Sequence, residues 1–308
     1  VSTGVAIVFC KIMDKKKEDI LKENETEVRP GKVPGTPGKM PQAAAIATPR
    51  QTAFLAAHRK NRRVVAFLRV FLLVLFLAVW ELCSDFNVID AFFFSSPSRV
   101  ALEFLSLLKE KSLLTHIGIT LYETLLSFLL VFLISMICAT ILWYSTRLSE
   151  ILEPYLVVLN SLPKSALAPL LIVWLGTGMN TIIVAGISVA LFGAIISLYT
   201  GFRQVDEEKI RLIYTLGGSR RDSLFKVVLP GSIPIILSTM KVNIGLALVG
   251  VIIGEFLAAR RGLGYLIIYG SQVFQLDMVI TSILILCVIA MGLYQVIQWV
   301  EKFYKKRL

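Results

Sequence analysis

Residues 165–202 contain no charged side chain, and this uncharged stretch constrains the fold more than any other feature of the sequence. A helix needs about 20 apolar residues to cross the roughly 30 Å of hydrocarbon in a bilayer. The stretch is too long for one such helix, and Gly176–Asn180 within it has the composition of a tight hairpin. It therefore predicts two membrane-crossing helices joined by a short turn.

The composition of the whole chain agrees with a membrane location. Hydrophobic residues make up 56% of the 308 residues and charged residues 17%, whereas soluble domains contain about 45–50% apolar and about 25% charged residues. A water-soluble core could not hide this much apolar surface. The composition therefore argues strongly against a soluble enzyme or a nucleic-acid-binding domain.

Hydrophobic periodicity and length predict an all-α membrane protein with six transmembrane helices. The predicted spans are Val64–Leu82, Ile117–Trp143, Tyr155–Leu175, Thr181–Phe202, Ile233–Leu257 and Leu276–Val300. A connector, residues 83–115, is expected to contain a short amphipathic helix from Arg99 to Lys111. Pro163 and Pro169 are expected to kink the third span rather than to bind a ligand.

The basic residues predict the orientation of these spans. More than half of the net charge of +11 lies in residues 1–63, a stretch rich in proline and glycine that reads as a largely disordered tail. This tail, the polar loop 203–229 and the C-terminus carry the basic clusters, which predicts that all three are cytoplasmic. Residues 64–308 then form the membrane domain, with Arg260 and Arg261 as exceptions on the outer side.

The start of the tail carries one further expectation. Met13 is followed directly by a charged segment and is the expected initiator of the native chain. The basic cluster 59–63 reads as a juxtamembrane anchor on the lipid surface, not as a nucleic-acid site. The four cysteines and two histidines are too widely separated to suggest a metal site, so none is expected.

The loop 203–229 is patterned rather than merely polar. Acidic residues precede a short apolar stripe formed by Ile210, Ile213, Tyr214 and Leu216, which predicts a helix that ends at Gly217. A second helical stretch then leads to a proline at the mouth of the fifth span. The pattern alone fits two interpretations equally: a surface on which another protein pushes, or a helix that lies on the lipid.

The same loop resembles the coupling loop of permease subunits of binding-protein-dependent ATP-binding-cassette importers. The family motif is Glu-Ala-Ala, three residues, Gly, then a spacer that ends in Leu-Pro. Gly217 matches the glycine, and Leu229 with Pro230 matches the end at the family spacing, whereas Arg211, Leu212 and Ile213 replace Glu-Ala-Ala. This departure affects the detailed contact with the ATPase, above all any salt bridge of the missing glutamate, but not the docking helix.

Further matches extend the resemblance over roughly residues 64–305. Residues 95–100 resemble the family's Pro-Ser-Pro segment, and residues 228–234 resemble its Leu-Pro-x-x-x-Pro. Gly254–Leu257 followed by Gly262–Ile267 resembles the signature of the nitrate/sulfonate/taurine-type branch. The resemblance is specific, because several separate motifs occur in the expected topological positions.

The resemblance implies a type I importer permease fold and transport by alternating access in the cell membrane. Two permease copies, expected to be a homodimer, would enclose the path, and each coupling helix would sit in a groove of a cytoplasmic ATPase subunit. An extracytoplasmic substrate-binding protein would deliver the solute. Because the chain has no Gly-x-x-x-x-Gly-Lys-Ser/Thr phosphate loop, ATP is expected to be used by the partner, and the chain itself is expected not to be an enzyme.

The branch implies a small organic or inorganic anion such as a sulfonate, nitrate or taurine as substrate. A vitamin-precursor pyrimidine or another small metabolite is the alternative within the family. A secondary transporter is less favoured because acidic residues are nearly absent from the middle of the spans. No cluster of catalytic side chains suggests an intramembrane enzyme.

Ionisable residues within spans are costly and are therefore candidates for the path or its gates. Lys241 either faces the path, where it would attract an anion, or extends to the membrane interface. Glu255 either lines the outer gate or forms a structural bridge with Arg260, the latter being slightly favoured. Glu123 and Lys164 allow the same two interpretations, path-lining or structural.

Overall fold

The computed structural model describes residues 49–86, 90–109 and 112–305. Almost all of these residues are helical, and no strand occurs among them, as the sequence predicts. The helices in chain order are α1 Pro49–Asp85, α2 Ala91–Phe94, α3 Pro97–Lys109, α4 Ser112–Tyr144, α5 Thr146–Ser161, α6 Lys164–Leu175, α7 Met179–Arg203, α8 Glu207–Thr215, α9 Arg220–Ser223, a π-helix Leu224–Val228, α10 Leu229–Ala258, α11 Leu263–Gln272 and α12 Leu276–Lys305.

The chain divides into two compact units, residues 1–67 and residues 68–308. Of the predicted disordered tail, residues 1–63, the structure describes only residues 49–63, which are helical; residues 1–48, including the expected start at Met13, lie outside the described residues. Helix α1 already begins at Pro49, so the basic cluster 59–63 forms part of a helix. The helix continues through the predicted first span, where the large apolar side chains between Leu68 and Val79 are exposed.

Four helical segments in the described part of the chain are long and apolar enough to cross a membrane: Ser112–Tyr144, Met179–Arg203, Arg220–Ala258 and Leu276–Tyr304. They correspond to the predicted second, fourth, fifth and sixth spans. The pair α5 and α6 adds a fifth if the two together form one span. The structure thus establishes a multi-helix membrane architecture, while the count of six remains a prediction.

The predicted third span, Tyr155–Leu175, is not one helix. It is broken between Ser161 and Lys164, and the axes of α5 and α6 differ by 93°. Leu162 is extended, with φ −61° and ψ 139°, because a residue before proline avoids the helical region. Pro163 therefore causes a sharp break where the sequence suggested a kink, whereas Pro169 is accommodated inside α6.

The core of the membrane domain is built around α7, which packs against α4 on one side and α10 on the other. Small residues allow α7 and α10 to approach closely. A Cβ atom on Gly250 would lie 2.8 Å from the Cα atom of Gly186 and 2.9 Å from the carbonyl oxygen of Ala185. Such contacts favour helix association in lipid, where packing replaces the hydrophobic effect as the driving force.

Two shorter helices complete the domain. The amphipathic helix expected from Arg99 to Lys111 is α3, and its first turn is capped from a distance by Glu81, which accepts hydrogen bonds from the Ser98 amide at 3.1 Å and hydroxyl at 2.6 Å. The sequence did not predict α11, which packs against α12 and follows a turn at Gly262. Helix polarity places this turn at the end of α10 opposite the loop 203–229.

Candidate functional site

The predicted coupling helix is α8, and its start is formed as the sequence suggests. Asp206 caps the helix by accepting a hydrogen bond from the Glu208 amide at 2.9 Å. Glu207 and Glu208 lie in the first turn, where negative charge interacts favourably with the helix dipole. These local interactions stabilise the start of the helix, none of whose residues is fully buried.

The apolar residues of α8, and Leu216 directly after it, differ in how far the rest of the chain covers them. Ile210 packs against the buried cluster that contains Leu224 and Val228. In contrast, Leu212, Tyr214 and Leu216 are 57%, 47% and 75% exposed. We refer to these three side chains as the coupling face, because they form an apolar surface that the chain itself leaves uncovered.

A glycine turn ends α8. Gly217 has φ +79°, a left-handed conformation that glycine adopts without steric cost. The turn is closed by the Gly218 amide, which donates to the carbonyl oxygen of Ile213 at 2.8 Å. Ser219 then caps α9 in a reciprocal capping box with Asp222. The spacing of Gly217 from the second helix is thus a consequence of two consecutive caps.

The segment after the turn enters the membrane through a π-helix, Leu224–Val228. We call α8, the glycine turn and α9, residues 207–223, the coupling segment. Leu224 and Val228 are buried in the cluster on which Ile210 of this segment packs, and Leu229 packs against the same cluster. Pro230, which has no amide hydrogen, occupies the first turn of α10, where a missing donor costs little. Leu229 and Pro230 therefore connect the coupling segment to a span instead of touching its exposed tip.

Of the other predicted coupling residues, Arg211 is exposed and pairs with Glu207 at 3.3 Å. Ile213 is half-buried against the turn, next to Gly218. Leu212 belongs to the coupling face. The structure thus brings Arg211, Leu212 and Gly217 to one exposed tip and leaves Ile213 as a support beneath it.

Sequence reasoning missed the residue that anchors this segment to the bundle. The guanidinium group of Arg220 lies 5.6 Å from the ring centroid of Trp143 and 5.3 Å from that of Tyr144. It also donates a hydrogen bond to the carbonyl oxygen of Trp143 at 3.2 Å. Arginine over aromatic rings is a favourable cation–π arrangement, so Arg220 ties the coupling segment to the end of α4.

The two candidate lysines both have partners within the chain. Lys241 forms an ion pair with Glu301 on α12, and both side chains are largely buried, with 17% and 15% exposed. Lys164 donates to the carbonyl oxygen of Asn160 across the break between α5 and α6. Glu301 was not predicted as a site residue, because its position near the end of the last span resembles that of an ordinary interfacial charge.

Glu255 is fully buried at the other end of the bundle. Its carboxylate accepts hydrogen bonds from the Thr120 hydroxyl at 2.6 Å and from the Gly264 amide at 2.5 Å. The expected bridge to Arg260 is therefore wrong in its partner: Glu255 binds α4 and the first turn of α11 instead. A backbone amide can reach the Glu255 carboxylate because the chain after α10 folds back over this side chain.

The turn before α11 is held by α4. The Gly262 amide donates to Nδ1 of His116 at 2.9 Å, and the Leu263 amide donates to the Thr120 hydroxyl at 2.9 Å. Gly262 has φ +122°, and a Cβ atom there would lie 2.5 Å from Cδ of Glu255. We call the group formed by His116, Thr120, Glu255, Gly262 and Gly264 the Gly262 turn cluster.

Glu123 lies beside this cluster. It is 2% exposed and lies close enough to Glu255 for the two carboxyl groups to interact, and its Oε2 atom has no hydrogen-bond partner among the described residues. Glu123 also lines a cavity of about 430 Å³ together with Arg260 and Arg261. The structure thus brings Glu123 and Glu255 together and separates both from Lys164 and Lys241.

Comparisons with known proteins agree with this arrangement. Residues 131–308 match the family described as the inner membrane component of binding-protein-dependent transport systems. A probable ABC transporter permease of Haemophilus influenzae is 32% identical over 72% of this chain and 90% of its own length. A putative aliphatic sulfonates transport permease of Bacillus subtilis is 27% identical over 81% and 91%.

Two further comparisons concern a permease named for a different solute and a solved structure. A formylaminopyrimidine transport permease of Halalkalibacterium halodurans is 23% identical over 62% of this chain and 76% of its own length. Among solved structures, the inward-facing MetNI methionine ABC transporter gives a TM-score of 0.55 at 16% identity, over 62% of this chain and 95% of that chain. The latter establishes a common fold. The chain is a multi-pass inner-membrane protein and belongs to the permease family of binding-protein-dependent ABC transport systems.

Proposed function

We propose that two copies of this chain form the translocation path of an ABC importer for a small solute. The observation that carries the proposal is the coupling face, formed by Leu212, Tyr214 and Leu216, which is apolar, exposed and held between two membrane helices. A chain that used α8 only to close a loop would gain nothing from leaving such a surface uncovered. An ATPase subunit with a matching groove would cover it.

We further propose six spans with both termini in the cytoplasm. The spans would be α1, α4, the broken pair α5 and α6, α7, α10 and α12. An even number places the basic tail, the loop 203–229 and the C-terminus on one side, in accordance with the positive-inside rule. The exposed apolar side chains of α1 support its assignment as a span, because lipid or another subunit would cover them.

Energy would come from ATP hydrolysed by the partner, so this chain would transport without catalysing a reaction itself. The physical link runs through Ile210, Leu224 and Val228, which pack into the bundle, and through Arg220, which grips the end of α4. A displacement of the coupling face would therefore move α4, α7 and α10 together. An extracytoplasmic binding protein would meet the opposite end, near the Gly262 turn cluster.

Among the four candidate path residues, Glu123 is the one that faces a cavity containing cationic side chains, those of Arg260 and Arg261. We propose it as a gate residue. Glu255 would instead hold the turn, because its carboxylate is fully engaged. Lys241 is neutralised by Glu301 and would attract an anion only if that pair opened, and Lys164 would stabilise the break in the third span.

The solute is proposed to be a small anion such as a sulfonate, nitrate or taurine. The sulfonate permease among the relatives and the two arginines at the cavity support this choice. The formylaminopyrimidine permease supports the alternative, a neutral vitamin precursor. The two solutes are distinguished by identifying the ligand that co-purifies with the binding protein of this importer.

The coupling role is tested at Gly217. A Cβ atom there would meet no atom within 4 Å, so the cost of a substitution arises from φ +79° and from the altered tip. Gly217→Val should abolish the turn geometry, whereas Gly217→Asn should retain it, because asparagine tolerates the left-handed region and a β-branched residue does not.

The measurement combines uptake and ATP hydrolysis in proteoliposomes that contain the permease, its ATPase and its binding protein. We expect Gly217→Val to reach the membrane in normal amount but to lose most uptake per ATP hydrolysed, and Gly217→Asn to retain it. Gly292→Ala serves as a control, because it changes a glycine in α12 that also has open space around it. Unchanged uptake in Gly217→Val would contradict the coupling role.

A further inference from the structure

A second cavity, of about 280 Å³, lies on the inner side of the coupling segment. It is bounded by the end of α4, the start of α5, the end of α7 and three residues of α8, namely Glu207, Ile210 and Tyr214, so Tyr214 borders this cavity as well as belonging to the coupling face. The polar side chains that line it include Thr146, Tyr199, Arg203 and Arg220. It lies at the opposite end of the bundle from the cavity beside Glu123, and the transport proposal does not use it.

Both arginines of this cavity are held by aromatic rings. Arg203 lies 5.8 Å from the ring centroid of Tyr199, and Arg220 is stacked over Trp143 and Tyr144. Such cation–π contacts restrain a guanidinium group while its N–H donors stay available for hydrogen bonds. Two exposed cationic groups therefore border one small cavity.

The charges of these arginines are not neutralised within the described part of the chain, where neither of them forms an ion pair. The one acidic residue that lines the cavity, Glu207, pairs with Arg211 instead. The cavity thus retains a positive charge. This arrangement differs from Lys241, whose charge is matched by Glu301.

Neutral donors add to this charge. Thr146 and Tyr214, which carry hydroxyl groups, are among the residues that line the cavity, and Thr146 is the first residue of α5, where the helix dipole is positive. Planar guanidinium groups combined with hydroxyl donors match the oxygen atoms of a phosphate group. The same set offers little to a cation or to an apolar ligand.

We propose that this cavity binds a phosphate group and that the bound anion ties the coupling segment to α4, α5 and α7. The phosphate could belong to the headgroup of an anionic lipid or to a soluble phosphate, since both present the same oxygen atoms. In either case, occupancy would stiffen the connection between the coupling face and the spans. The site would therefore adjust coupling without being part of the translocation path.

The test measures binding to the purified full-length chain, without ATPase or transport, so that its outcome is independent of the Gly217 experiment. In one arm, inorganic phosphate is titrated into the chain in phosphatidylcholine nanodiscs, and thermal unfolding is measured. Sodium chloride at the same ionic strength is the reference. The other arm compares thermal unfolding in nanodiscs with and without phosphatidylglycerol. Stabilisation by phosphate identifies a soluble anion, and stabilisation by phosphatidylglycerol alone identifies a lipid headgroup.

Arg203→Gln should weaken binding of the effective probe about tenfold, because it removes charge-assisted hydrogen bonds. Arg221→Gln is the matched control: it removes the same charge from an exposed neighbour of Arg220 that does not line the cavity, and binding should be retained. Equal losses in both variants would overturn the proposal, because they would indicate nonspecific attraction to a basic loop.

Glu207→Gln provides a test in the opposite direction and remains informative if Arg203→Gln does not fold. Removing the acidic side chain from the cavity should strengthen binding about threefold, the scale of a single exposed charge interaction. Weaker or unchanged binding in Glu207→Gln would count against the proposal. Absence of stabilisation by both inorganic phosphate and phosphatidylglycerol in the unmodified chain would overturn it outright.

Discussion

The two ends of α10 are approached by turns of the same kind, yet the turns are stabilised in opposite ways. Gly217 and Gly262 both adopt a positive φ, +79° and +122°. Around Gly217, a Cβ atom would meet nothing within 4 Å, whereas at Gly262 it would lie 2.5 Å from Cδ of Glu255. One turn is open and the other is filled by the chain's own side chains.

The two regions differ in whether the chain itself or another protein would provide contacts to their side chains. The Gly262 turn cluster satisfies its polar groups internally, through His116, Thr120 and Glu255. The coupling segment instead exposes Leu212 and Leu216, whose burial would require a partner. We infer that the first region determines the stability of the domain and that the second determines its communication with another protein. The following experiments test that division.

The largest effect is expected from placing the same small side chain in both turns. Gly262→Ala must accommodate both the strained φ and a clash with a buried carboxyl group, so it should lower the free energy of unfolding by about 3 kcal/mol or more. Gly217→Ala should cost only about 1 kcal/mol, from its φ alone. Thermal and denaturant unfolding in detergent micelles measures both, and equal losses would remove the distinction between the turns.

Within the Gly262 turn cluster, the acceptor oxygens of Glu255 are expected to matter next. Glu255→Ala would leave the Thr120 hydroxyl and the Gly264 amide without their acceptor, at a cost of about 2 kcal/mol. Glu255→Gln retains one acceptor oxygen and should cost less. The same unfolding assay compares the two variants. If both were as stable as the unmodified chain, the cluster would not be the stabilising element that we infer.

Substitutions in the ion pair between Lys241 and Glu301 test whether the end of the bundle that carries the coupling face is also stabilised by contacts within the chain. Lys241→Met removes the lysine partner of a largely buried carboxylate and should cost about 1–2 kcal/mol, less than a fully buried pair. Adding Glu301→Leu should recover most of this loss, because an apolar pair needs no charge compensation.

Transport by the double variant distinguishes a structural pair from a path residue. If the pair is structural, the double variant should transport like the unmodified protein when it is equally stable. Loss of uptake despite restored stability would instead indicate that Lys241 contacts the solute.

The smallest effect on stability is expected at the coupling face. Leu212 is 57% exposed, so Leu212→Ser should change the free energy of unfolding by no more than about 0.5 kcal/mol. Uptake driven by the ATPase should nevertheless fall severalfold, because the substitution places a polar group in the expected interface. A change in stability without a change in uptake would reverse the roles assigned to the two regions.

Much of the architecture could be predicted because it depends on local properties of the chain. Continuous apolar stretches mark α4, α7, α10 and α12, since each must fill the thickness of a membrane by itself. The coupling helix and Gly217 were also predictable, because acidic residues at a helix start and glycine at its end act within a few residues. Two features were not predicted: the break at Pro163, which is sharper than the kink that proline implies, and helix α11.

The partners of the charged residues depended on tertiary structure. Thr120 and Glu255 are 135 residues apart in sequence, Arg220 and Trp143 are 77 apart, and Lys241 and Glu301 are 60 apart. The sequence indicated that burying these charges in a membrane costs free energy, but not which partners compensate for that cost. A side chain finds its partner through the packing of whole helices, and the close contact of α7 with α10 fixes which faces meet. The sequence by itself thus determined the long apolar helices and the glycine turn after α8, whereas the folded bundle decided which polar groups are paired and which remain available.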